Sequence, residues 1–266
     1  MASIYADIRE VLGVSTVNLI WRHLATIDSA LPWTWETLRP IYTSGILERA
    51  AAELRRPPSL PALAAISTDD AVRAAADRSV FAAVDATLRQ YDRSNPVNLL
   101  ALRSLLCWLD GDRSPPGEPV AGETPVPISV PPKLAPLIPH QSLSPHLRML
   151  ARRLTALGSD DPGEVVNAGV PRHLANWPGV FELMVNRVEP HEDAFRDSIR
   201  EVEQQAVGFA RVFTGELRPS TRPARSDQFY DAIRPFTSSA LIANFIPKVR
   251  AMRIVIADLL DQDIEG

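Results

Sequence analysis

The stretch Ile20-Trp21-Arg22-His23-Leu24-Ala25-Thr26-Ile27 decides the fold, because its centre returns 150 residues later as Arg172-His173-Leu174-Ala175. A proline follows each copy at the same distance, at Pro40 and Pro190. The flanks agree as well. Ile20, Leu24, Ile27, Leu31, Trp35 and Leu38 stand at the positions of Val170, Leu174, Trp177, Phe181, Val185 and Val188. Steps of three and four place each set on one face of a helix. The chain therefore reads as a duplicated helical unit, and a fixed-offset repeat settles architecture before any single element does. Two similar halves meeting face to face leave a cleft at their seam, where small-molecule sites tend to form. By this repeat, Thr16 to Ile20 and Val166 to Val170 are equivalent and should oppose each other there.

Outward from the two copies, the rest reads as helix. Ser3, Ser15 and Asp28 are candidate starts of the first three helices, and Gly13 ends the first. Ser67-Thr68-Asp69-Asp70 opens a long helix toward Tyr91. Asn95 before Pro96 reads as a new helix start, with Asn as cap and Pro at the first helical position. In the second half, Ser144-Pro145 starts a helix ending at Gly158, and 171–176 and 179–189 repeat the second and third helices. A long helix covers about 192–213, and Ser226 and Ser238 start the last two, with Pro247 kinking the final one. No period-two alternation bounded by turn residues is present, so no sheet is expected. The expected fold is all-α: two pseudo-symmetric helical bundles, 1–110 and 144–266, joined by a linker at 111–143. Ten of the 24 prolines fall in 110–146, an extended connection that is either an inert tether or a strap around one half.

The net charge of −4 over 266 residues, with basic residues interleaved among acids, argues against nucleic acid as a partner. The longest apolar run, residues 99–109, is interrupted by Arg103 and falls short of the roughly 20 residues that span a bilayer. No membrane association and no secretory leader are expected, which makes a cytoplasmic location the default. Cys107 alone excludes an internal disulfide and a thiolate cluster, and its apolar flanks suggest a buried structural thiol. Histidines at 23, 140, 146, 173 and 191 are too dispersed for a metal signature, and no glycine-rich phosphate loop or Gly-x-Ser-x-Gly elbow occurs. No cofactor and no metal are expected.

Three groups could carry chemistry. The Arg-His pairs offer guanidinium forks suited to a carboxylate, or they tie helices within each half. Asn95 can orient water or a substrate carboxylate through its free NH₂ even while its oxygen caps a helix. Asp160, Asp161 and Glu164 form an acidic loop before the second copy, where carboxylates are normally solvated.

Gly13-Val14, Val17-Asn18-Leu19-Ile20, Arg22-His23-Leu24-Ala25-Thr26 and the Trp33/Trp35 helix resemble the first repeat of the group I 2-haloacid dehalogenases, which act on both D and L substrates. Arg172-His173-Leu174-Ala175-Asn176-Trp177-Pro178 resembles the second repeat, and Ser94-Asn95-Pro96-Val97-Asn98 the end of the first half. The resemblance implies an all-helical pseudo-dimer with its site between the repeats. It implies direct attack of an aspartate-activated water at C2 of a small halogenated carboxylic acid, with no cofactor. It places the catalytic asparagine on Asn95 and pocket-lining positions on Thr16 and Leu19, to which the repeat adds Ile20, Gly169 and Val170 as wall positions. The aspartate position falls on Gly169-Val170, which cannot accept a proton. The expectation is therefore a dehalogenase-like hydrolase with an altered centre, or a non-catalytic binder of small carboxylic acids on the same fold. The expected partners are that small acid and a second copy of the chain in a homodimer. The weaker likeness of Val170 to Ala175 to the alkylhydroperoxidase D-like fold implies a Cys-x-x-Cys pair, which this chain lacks.

Overall fold

Among the described residues, twelve α-helices build the molecule. The computed structural model describes residues 1–112, 131, 133–159, 168–217, 219, 226–237 and 241–261. In chain order the helices are α1 (Ala2–Leu12), α2 (Leu19–Leu24), α3 (Ala30–Thr43), α4 (Ile46–Leu54), α5 (Thr68–Arg73), α6 (Arg78–Leu109), α7 (Pro145–Ala156), α8 (Gly169–Leu174), α9 (Pro178–Val188), α10 (Glu192–Phe213), α11 (Ser226–Ile233) and α12 (Ile242–Leu260). No strand occurs among the described residues, so the all-α expectation holds.

The duplicated motif forms two six-residue helices at the same offset, α2 and α8. Ile20, Leu24, Leu31, Trp35 and Leu38 and their counterparts Val170, Leu174, Phe181, Val185 and Val188 are all buried. The copies seed different cores. One apolar cluster holds α1 to α4, the C-terminal half of α6, the end of α10 and α11. The other holds the N-terminal half of α6, α7 to α9, the start of α10 and most of α12. Long helices thus cross from one core to the other, and each core draws on chain from both sides of the linker. Behind α2, Trp21 stands edge-on to Trp35 with centroids 5.2 Å apart and an 84° interplanar angle. Such contacts add about 0.5–1.5 kcal/mol beyond area burial, and they fix the wall that α2 presents to the seam.

Several expected boundaries shift. α1 has no side-chain cap, so Ser3 does not cap it, although Gly13 ends it in the left-handed region at φ 60°. α2 begins after Asn18, not Ser15, and α3 begins after Ser29, not Asp28. Pro40 lies inside α3, and α4 is an element the sequence reading omits. Ser67 opens a helix as expected, through a capping box with Asp70, but that helix is short and does not run to Tyr91. Ala75 takes a positive φ, and Asp77 caps a fresh start for α6. Ser144 caps α7 through the Leu147 N–H, as expected.

The consequential correction concerns Asn95. It caps nothing, because α6 runs through both Asn95 and Pro96. Proline removes the N–H that would reach the carbonyl four residues earlier, that of Asp92. Arg55 fills the gap, its Nε donating to the Asp92 carbonyl at 2.9 Å. The side chain of the residue that caps the C-terminus of α4 thus takes up the carbonyl freed by the proline. The same segment is locked to α12 by buried ion pairs: the Asp92 carboxylate accepts from Arg250 and Arg253, and Arg253 Nε donates to Asp85 at 3.1 Å.

Of the linker, the end at 133–139 is a strap and not a free tether. Arg172 Nε donates to the Ile138 carbonyl at 2.7 Å, and Asn176 Nδ2 donates to the Pro136 carbonyl at 3.0 Å. Cys107 is half-buried, with its thiol pushed up by burial and then by Asp112. No described helix is long and apolar enough to cross a membrane.

Candidate functional site

Because α6 is continuous, Gln90, Tyr91, Ser94, Asn95 and Asn98 recur at helical spacing and present one polar face. That face looks into a cavity of about 70 Å³ between α2 and α8. A water needs roughly 10–15 Å³ by the same measure, so the space holds several waters or one short organic acid. Thr16, Leu19 and Ile20 line one side, Gly169 and Val170 line the other, and Asn95 lies on the wall between them. All the residues expected at the site therefore share one cavity. So do the segments from Thr16 to Ile20 and from Ala168 to Val170. Val166 and the acids Asp160, Asp161 and Glu164 lie outside the described residues.

The wall is apolar with a few polar atoms placed among it. Asn18 Nδ2 donates to Ser94 Oγ at 2.9 Å, which leaves Asn18 Oδ1 buried without a partner. The Tyr42 hydroxyl donates to Asn98 Oδ1 at 2.8 Å, which leaves Asn98 Nδ2 in the same state. Arg22 Nε is likewise buried and unpartnered. Gln90 Oε1 accepts from both the backbone N–H and the hydroxyl of Ser15. A buried polar atom without a partner costs about 1–3 kcal/mol. Three of them, two donors and an acceptor, belong to residues that line this one cavity.

The two motif copies have diverged. His23 is exposed and lies near Phe236, whereas His173 is 1% exposed, with its Nδ1 2.7 Å from the Tyr91 hydroxyl. Burial, then Arg172 and Arg22, push His173 down to about 4, while a hydrogen bond to the backbone of Ala135 acts the other way. The ring is neutral at pH 7. Burial pushes Tyr91 well up, with Arg22 and Arg172 opposing. Both arginines therefore act on the same pair of side chains, although Arg172 spends its Nε on the strap. Gly169 explains how Tyr91 fits: a Cβ at that position would stand 2.4 Å from the phenolic oxygen. Among the described residues no aspartate or glutamate lines the cavity, and no three His, Cys, Asp or Glu side chains converge as metal ligands would.

Sequence reading missed Asn18, Tyr91, Asn98 and the buried role of His173. The signal was available in part: Gln90/Tyr91, Ser94/Asn95 and Asn98 keep helical spacing, but a helix broken at Pro96 scatters them. Nothing in the sequence joins Tyr91 to His173.

No protein-family model and no curated protein matches the chain. Solved structures do. A D-2-haloacid dehalogenase mutant in complex with D-2-CPA superposes with a TM-score of 0.73 at 17% identity, over 96% of this chain and 91% of that one. Another structure of a dehalogenase mutant gives 0.72 at 18% identity, over the same shares of each chain. A D-2-haloacid dehalogenase with L-LA gives 0.70 at 17%. Identities this low speak for architecture and not for chemistry, and the chain has the haloacid dehalogenase-like fold.

Proposed function

We propose that the chain binds a short-chain carboxylic acid in the cavity between α2 and α8. The observation that carries this is the set of unpartnered polar atoms, Arg22 Nε, Asn98 Nδ2 and Asn18 Oδ1, on residues that line one small, mostly apolar space. Arginine is the cation whose donor geometry matches a carboxylate, and a charge-assisted hydrogen bond is roughly twice as strong as a neutral one. Asn95 and Asn98 supply neutral amides beside it. Val17, Ile20 and Val170 give a short alkyl chain an apolar wall. The two copies of the repeated motif, one from each half, supply the two sides. The fold shared with D-2-haloacid dehalogenases agrees with this ligand class.

Calorimetric titration tests the reading, with acetate, propionate and 2-chloropropionate as probes. Saturable binding to the wild type, lost on Arg22→Met with folding intact, is the expected result. Equal heats for the wild type and Arg22→Met would overturn it.

A second reading, hydrolysis of a 2-haloacid, is favoured by one observation: Asn95 lies on the cavity wall beside Gly169 and Val170. The candidates for its water-activating base are Asp160, Asp161 and Glu164, the acids just before the second motif copy. Halide release from 2-chloropropionate or 2-bromopropionate between pH 6 and 10, abolished on replacing one of these acids, would establish it. Binding without release leaves the first reading standing alone.

A further inference from the structure

Residues 91 and 169 compete for one volume. The Tyr91 phenol fills the space in front of Gly169 so closely that even a Cβ there would stand 2.4 Å from its oxygen and 3.2 Å from the ring atoms Cε1 and Cζ. Gly169 opens α8 without a positive φ. The backbone therefore does not demand glycine at this position; the phenol does. Tyr91 is held there by His173, whose Nδ1 lies 2.7 Å away. Both side chains line the cavity.

The hydrogen-bond direction follows from the imidazole's protons. A neutral imidazole has one N–H and one acceptor nitrogen. The ring's contact with the backbone of Ala135 favours the charged ring, as an N–H donated to a carbonyl does. The nitrogen facing Tyr91 is then the acceptor, and the phenol spends its proton on it. The phenolic oxygen is left with lone pairs for the cavity. A lone pair repels a carboxylate and makes only a weak contact with a carbon-bound halogen, but it accepts a full hydrogen bond from a hydroxyl.

We infer that Tyr91 is the specificity residue of this site, and that its oxygen, oriented by His173 in the space in front of Gly169, accepts a hydrogen bond from a hydroxyl beside the ligand's carboxylate. The preferred occupant is then a short hydroxy acid over the matching unsubstituted or halogenated acid. This rests on the carboxylate-binding reading above and deepens it. Asn18 Oδ1 is a second unpartnered acceptor, but it is buried, and only the Tyr91 oxygen is tied to the volume at residue 169.

The test is titration of three probes, 2-hydroxypropionate, propionate and 2-chloropropionate, into the wild type, Tyr91→Phe and Gly169→Ala, with folding checked by thermal unfolding. One hydrogen bond gained predicts about a tenfold preference of the wild type for the hydroxy acid. Tyr91→Phe keeps the ring and removes the acceptor. Gly169→Ala keeps the phenol but drives it from its place. Either folded variant should bind all three acids with less than about a threefold spread. A wild type that does not distinguish the three acids overturns the inference while leaving carboxylate binding intact. So does a hydroxy-acid preference that survives in both variants. A wild type that binds none of the acids overturns the carboxylate reading, and this inference with it.

Discussion

Asp92→Asn removes the charge at the centre of the buried link between α6 and α12. Asp92 is 3% exposed, and its Oδ2 accepts from Arg250 and Arg253, themselves 5% and 7% exposed. The carbonyl of the same residue is held by Arg55 and is untouched by the change. The substitution keeps the side-chain shape, so the loss is electrostatic. Arg253 retains Asp85, while Arg250 loses its carboxylate partner at 3.1 Å. Breaking a buried pair from one side costs about 3–5 kcal/mol, because the remaining cation stays desolvated. For a chain of this size each kcal/mol moves Tm by about 2–4 °C, so a fall on the order of 10 °C is expected. The control is Asp197→Asn, whose partner Arg200 is 3.8 Å away, with the two side chains 61% and 52% exposed. An exposed pair of this kind is worth at most about 1 kcal/mol. Urea unfolding of both variants beside the wild type gives the comparison. A loss below about 1 kcal/mol for Asp92→Asn, equal to the control, would refute the claim that this network holds the helix that carries Asn95.

Other outcomes follow from single features. Gly208 lies exposed inside α10, and an added Cβ meets nothing within 4 Å, so Gly208→Ala should raise stability by roughly 0.5–1 kcal/mol. Gly179→Ala makes the same exchange in α9, but its Cβ would stand 2.2 Å from the Ala74 carbonyl oxygen, so it should lower stability by about 1–3 kcal/mol. A gain in thermal unfolding for Gly179→Ala, or a loss for Gly208→Ala, contradicts the local geometry. His173 has its folded pKa depressed from 6.5 to about 4, so the unfolded chain binds more protons between those values. Its contribution is complete above about pH 6.5 and is lost as pH falls toward 4, by at most about 3 kcal/mol. A folded His173→Asn variant should show a flatter stability profile across that window, and an unchanged slope would count against the buried neutral ring. Asn95→Ala should keep stability within about 1 kcal/mol, because the residue is mid-helix and alanine is the best helix former, while acid binding weakens. A large loss of stability with binding intact would reverse that assignment.

Fold and site differ in how far the sequence discloses them. The repeated Arg-His-Leu-Ala and its flanks carry the helical register of α2, α3, α8 and α9, because apolar spacing is local information. Ser144-Pro145 works in the same way, since capping involves neighbours only. Asn95-Pro96 misleads because its resolution is not local: Arg55, forty residues away in sequence, takes the carbonyl that the proline abandons. The exchange of long helices between the cores is hidden for a similar reason. At the site, Thr16, Leu19, Ile20, Gly169 and Val170 are placed by their distance from the motif, and they are wall positions. The polar atoms that give the wall its character become visible only when Tyr42, Ser94 and His173 are seen to occupy some of them and leave others free.

The most direct measurement is a crystal structure of the wild type grown with propionate. The account predicts one propionate between α2 and α8, its carboxylate within about 3 Å of the Arg22 guanidinium and its methyl group against Val17, Ile20 and Val170. A cavity holding only water at saturating acid, or a propionate whose carboxylate faces away from Arg22, would contradict it.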